Sequence, residues 1–168
     1  MSYRAWYAQL DVFDTARRYL AILNAWRLDP PSRDRLFISD FYFVNPPLLH
    51  LTHMSAQVRR DFSALGIEKP KDAFINFPSP SILYNRMTGI QTQALHNLVG
   101  KGLLDVNLVD KDQYRLSDLG LRVVREMDGR LVLPSEKEVL AFVTTAFASI
   151  GEGKGGLRAI TGLRRLGT

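Results

Sequence analysis

Residues 82–127 constrain what this chain can fold into more than any other stretch. Ile82, Leu83 and Met87 place apolar side chains on one face of a short helix. Gly89 interrupts that pattern where a tight turn belongs. Ile90, Ala94, Leu95, Leu98 and Val99 then recur at three- and four-residue spacings, the stripe of a second helix. Gly102 follows where a left-handed C-cap is favoured, and Lys101 sits in the last turn beside the negative end of the helix dipole. Residues 103–109 read as a strand, Asp110-Lys111-Asp112 as a polar turn, and residues 113–116 as a returning strand. Ser117 suits the N-cap of a closing helix, 118–127, with Leu119, Val123 and Met127 on its inner face. Helix, turn, helix, hairpin and helix is the order of a winged helix-turn-helix core, with the hairpin as its wing.

Around that core the sequence predicts a mainly α protein with one small β-hairpin and additional N- and C-terminal helices. The 168 residues fit one domain with helical additions, and 46% hydrophobic content is enough to bury a real core. The chain divides into an N-terminal amphipathic helix and linker over 1–33, a winged-helix domain over 34–150, and a basic glycine-rich tail over 151–168. With no cysteine, disulfides and thiolate metal sites are excluded. No signal-peptide pattern is expected at the start, and no apolar run reaches the ~20 residues that cross a bilayer. A cytoplasmic protein is the expectation. The net charge of +5 permits an anionic partner without demanding one.

The first helix is predicted over 4–26, where Trp6, Leu10, Phe13, Ala16, Leu20 and Leu23 form one stripe. Tyr7, Tyr19, Ile22 and Trp26 widen it, so the helix either lies in a groove of its own domain or packs on another chain. Asp29-Pro30-Pro31 ends it. A short, deeply buried helix is predicted within 35–44. Its Asp40 is an acid among aromatics and calls for a buried hydrogen-bond or ion-pair partner. Residues 54–66 predict a further helix capped by Ser55, and Ser81 is expected to cap the first helix of the core. Residues 131–133 form a short strand or an extended link. Residues 136–150 predict a last helix whose Val139, Leu140, Phe142, Val143, Phe147 and Ile150 cover more than one face, so it is either sandwiched or used in a partner contact. The segment 151–168 is dense in glycine and carries Lys154, Arg158, Arg164 and Arg165 against Glu152, which reads as a flexible basic tail.

No catalytic constellation, cofactor site or metal site is expected. His50 and His53 lack a third ligand nearby, and His96 falls on a polar helix face. Gly153-Lys154 fails as a phosphate loop, because Ala148 stands where the motif needs glycine and Gly155 where it needs Ser or Thr. Two kinds of contact remain. The candidate partner-binding residues are Trp6, Leu10, Tyr19, Trp26, Phe142 and Phe147. The candidate DNA contacts are Arg86, Gln91, Gln93, Asn97 and Lys101 on the second core helix and its approach, Lys111 and Arg115 on the wing, and the four basic residues of the tail. Asn and Gln can pair with adenine, but phosphate anchoring needs more local Arg and Lys than Arg86 and Lys101 supply.

The segment 35–50, "RLFISDFYFVNPPLLH", together with the core that follows, resembles the middle components of bacterial ABC-three-component systems, including the small accessory subunit of Lamassu-type anti-phage systems. Leu36, Asp40, Phe41, Phe43, Pro46 and Leu48 carry the first part of the match. Leu95, Leu98, Lys101, Gly102 and Leu103, then Leu116, Ser117 and Gly120, carry the rest. Asn45-Pro46 stands where that family more often has His-Pro. The resemblance implies a non-catalytic subunit that works with an SMC- or Rad50-like coiled-coil ATPase sensing foreign DNA, and with an effector, often a nuclease. The alternative is a free-standing winged-helix DNA-binding regulator.

Overall fold

Burial decides which of these segments become helices, and a computed structural model describes residues 7–71, 78–152 and 156–164. A short 3-10 turn, Ala8–Leu10, precedes α1, Val12–Ala25, and α2 spans Arg33–Val44. The 3-10 segment Pro46–Leu51 leads to α3, Ala56–Ser63, and the long α4, Pro80–Gly100. The short α5, Val106–Val109, and α6, Asp118–Met127, come next. Two 3-10 turns, Asp128–Arg130 and Pro134–Glu136, lead to α7, Lys137–Thr144, and then to α8, Gly156–Thr161. One core joins them. α1 packs against α4, α2, α7 and α6, while α2 packs against α4 and α7.

Several sequence expectations match. α2 is buried from Leu36 through Phe43, as its unbroken apolar run requires. Ser55 caps α3 and Ser117 caps α6, accepting hydrogen bonds from Val58 N–H and Gly120 N–H. Gly102, at φ 69°, closes α4 in a Schellman motif. Its N–H donates to Val99 C=O, and Leu103 N–H donates to Leu98 C=O.

The winged core is corrected at two places. The two helices expected on either side of Gly89 are one continuous helix, α4, with its N-cap at Ser79 rather than Ser81. A glycine inside a helix costs only about 1 kcal/mol, and α4 offsets that by burying Leu83, Tyr84, Met87, Gln91, Ala94, Leu95 and Leu98. The hairpin is not formed, and no strand occurs among the described residues. Leu104 and Leu116 make one isolated antiparallel bridge. Asp105 caps the helical turn that replaces the first strand, its Oδ1 accepting from Asn107 N–H at 3.1 Å. A short Asp side chain satisfies nearby backbone locally and competes with a ladder, which period-2 patterning does not register.

Smaller corrections follow the same logic. α1 starts at Val12 rather than residue 4, because Asp11 leaves the helical region and caps Phe13 N–H and Asp14 N–H. On α6 the expected Val123 and Met127 do pack, partly buried, against the core beside the buried Gly120 and Val124, while Leu119 is exposed. The last predicted helix stops at Thr144, where Thr144 and Thr145 turn their hydroxyls back onto the carbonyls of Leu140 and Ala141. Leu131 and Val132 are bends and Leu133 is extended, so 131–133 is a link rather than a strand. The described part of the basic segment, 156–164, packs on the core through Leu157, Thr161 and Leu163 instead of hanging free.

Candidate functional site

The site begins with a charge that has to be buried. Asp40 lies on the face of α2 that meets α1 and α4, and it is fully enclosed. Such an acid is tolerated only with partners. Arg18 of α1 donates from Nε to Asp40 Oδ1 at 2.5 Å and from Nη2 to Oδ2 at 3.2 Å. Gln91 of α4 donates from Nε2 to the same Oδ2 and to Phe37 C=O, both at 2.9 Å. Burial works against the charge on Arg18, but the carboxylates of Asp40 and Asp14 outweigh it and hold its pKa above the ordinary arginine value. Tyr19 stacks beside the cluster on Phe37 at 6.0 Å, and burial, with Asp40 adding to it, pushes its hydroxyl well up.

The cluster reaches the surface at both ends. Arg18 Nη1 donates to Ala8 C=O at 3.0 Å and to Asp14 Oδ2 at 2.6 Å, tying down the turn ahead of α1. Arg17 holds Glu136 with two 2.8 Å bonds and Leu131 C=O with one of 2.9 Å, so α1 also clamps the approach to α7. The turn fixed in this way and the start of α1 present Tyr7, Leu10 and Phe13 to solvent, with exposures of 56%, 43% and 81%. Three large apolar side chains exposed so close together along the chain, at a capped helix start, suit a protein contact.

A groove of about 680 Å³ opens at the other end of α1. Leu23, Trp26 and Arg27 form one side. Leu104, Val106, Arg115, Leu116 and Leu121 form the other. Val106, Leu119 and Leu121 are exposed large apolar residues on or near this side.

The arrangement offers surfaces for protein contact, and comparison says what kind of protein carries it. The sequence matches the family "ABC-three component (ABC-3C) system Middle Component 5" across residues 4–166. The chain belongs to that family. No curated protein and no solved structure matches it. No described helix of this middle component is long and apolar enough to cross a membrane.

The predicted contact residues of the middle component fall into three groups. Leu10 is exposed, and Trp26 is half-buried with its indole Nε1 donating to Asp29 C=O at 2.9 Å. Tyr19, Phe142 and Phe147 lie in the chain's own core, which corrects their expected place at a surface. Phe147 packs edge-on to Tyr42 at 5.3 Å and Phe142 against Phe62 at 5.6 Å, while α1 and α2 cover α7. Trp6, Lys154 and Arg165 lie outside the described residues.

Of the DNA candidates, Gln91 is corrected from an outward position to a buried one in the Asp40 cluster. Arg86, Gln93, Asn97, Lys101, Lys111 and Arg164 are exposed. Arg115 is paired with Asp105 at 2.9 Å and Arg158 with Asp34 at 2.5 Å. His50 is structural in its contacts, its Nε2 within 2.7 Å of Ile67 C=O and its ring edge-on to Phe62. Sequence reasoning missed Arg17 and Arg18. The signal was there, since Asp40 required a buried cation and Arg18 adjoins Tyr19-Leu20 on the widened stripe of α1.

Proposed function

We propose that this middle component is a non-catalytic accessory subunit of a multi-component ABC-3C assembly acting in the cytoplasm. It would join a coiled-coil ATPase of SMC or Rad50 type to an effector of nuclease type, in a defence role like that of Lamassu systems. The observation that carries this reading is the family match over 4–166, because whatever the family does must be done with this helical body. The exposed Tyr7, Leu10 and Phe13, at the turn that Arg18 fixes from inside and at the start of α1, support it as a docking surface. The regulator reading loses one of its base-reading candidates, because Gln91 points inward. DNA contact, if made inside the assembly, falls to the exposed candidates Arg86, Gln93, Asn97, Lys101, Lys111 and Arg164.

Co-expression with the proteins encoded beside it, followed by pull-down and size-exclusion chromatography, tests the proposal. Co-elution with a large ATPase is the expected result. A stable homodimer that ignores those proteins and shifts duplex DNA in a salt-sensitive way would overturn it.

A further inference from the structure

The groove between the end of α1 and the Leu104–Leu116 bridge has an unfinished backbone. Asp105 N–H donates to Arg115 C=O at 2.9 Å, and Ser117 N–H donates to Leu103 C=O at 3.0 Å. In antiparallel pairing this pattern turns the N–H and C=O of Leu104 and Leu116 away from each other. Tyr114 lies two residues before Leu116 and therefore on the same edge, and its N–H donates to Pro31 C=O at 3.0 Å. In that neighbouring segment, Asp29 C=O accepts from the Trp26 indole Nε1 at 2.9 Å. Among the described residues, neither N–H nor C=O of Leu116 has a hydrogen-bond partner. Leu116 also lines the groove.

The walls and rim narrow the choice of occupant. Leu23, Trp26, Val106 and Leu121 make the groove apolar. On the rim, Asp105 is already neutralised by Arg115. Arg27 donates only to the carbonyls of Asn24 and Trp26, and neither it nor Asp118 has an ion-pair partner among the described residues. The rim thus carries one free cation from the α1 side and one free carboxylate from the α6 side. A helix satisfies its own backbone and would leave the Leu116 groups unpaired. An extended segment supplies them.

We propose that an extended segment of another component of the assembly adds as a strand along Leu116. Its alternate apolar side chains pack into the groove, and an acidic residue meets Arg27 while a basic one meets Asp118. This rests on the assembly reading above and names one mode of contact within it.

The test uses the full chain with its co-expressed components. Hydrogen exchange at the Leu116 amide is expected to slow at least tenfold on assembly. Leu121→Glu and Val106→Glu, both at exposed positions, are expected to weaken assembly at least tenfold with circular dichroism and urea midpoints unchanged. Arg27→Glu should weaken it too, and Arg27→Lys should not. An assembly that forms with unchanged exchange at Leu116 and full tolerance of Leu121→Glu would overturn the strand proposal and leave the assembly reading standing. Absence of any complex with the wild-type chain would overturn both.

Discussion

Arg18 and Asp40 form an ion pair in which neither side chain has appreciable contact with solvent, with 2.5 Å between Nε and Oδ1. The pair joins α1 to α2, and through Gln91 to α4, so three helices depend on one carboxylate. Removing one member leaves the other charged and enclosed. Asp40→Ala is therefore expected to destabilise the fold by about 3–5 kcal/mol. Arg18→Met combined with Asp40→Leu should cost less than Asp40→Ala alone, since the guanidinium then no longer has to stay buried with Asp14 as its remaining carboxylate. Urea unfolding of the three variants checks this order. A double variant less stable than the single would overturn it.

Two glycines in helices should respond in opposite directions. A Cβ on Gly120 would stand 2.2 Å from Leu103 C=O, in the close approach of α6 to the segment after α4. Gly120→Ala is expected to lose about 1–3 kcal/mol despite alanine's better helix propensity. Gly89 has open space around it in the middle of α4, so Gly89→Ala is expected to gain up to about 1 kcal/mol. Thermal midpoints of the two proteins should move apart.

Aromatic residues of similar size divide by position. Phe142 and Phe147 belong to the core, so Phe142→Asp and Phe147→Asp are both expected to abolish cooperative folding. Phe13→Asp, on the exposed start of α1, should leave the unfolding midpoint within about 0.5 kcal/mol of wild type and reduce recovery of the assembly in pull-down. Loss of folding in Phe13→Asp would overturn this division.

Alkaline pH should weaken the fold through Tyr42. Burial pushes its hydroxyl up to about 12 from 10.0, against the hydroxyls of Thr52 and Thr161, which pull the other way. The neutral form is favoured in the folded state, so this contribution is fully present below pH 10 and is lost as pH rises towards 12. The loss amounts to at most about 2–3 kcal/mol. Tyr42→Phe should flatten the fall in the urea midpoint between pH 10 and pH 12. An equally steep fall in that variant would assign the effect to other groups.

The sequence by itself determined the features that are local. Ser55 and Ser117 cap helices because a short hydroxyl reaches the backbone three residues on, and Gly102 ends α4 because it accepts a positive φ without strain. The buried run of α2 was equally legible, and so was the need of Asp40 for a partner. Tertiary structure decided what depends on neighbours. Gly89 looks like a turn in isolation, yet the core on the other side of α4 rewards an unbroken helix. Phe142 and Phe147 look like a partner face because their helix is apolar on more than one side. Only the arrival of α1 and α2 shows that both sides are already covered. Gln91 reads as an outward amide until Asp40 comes within 2.9 Å of it. Spacing along a chain fixes which residues share a face. It does not fix what that face meets, because the free energy of burial belongs to pairs of surfaces brought together from distant parts of the sequence.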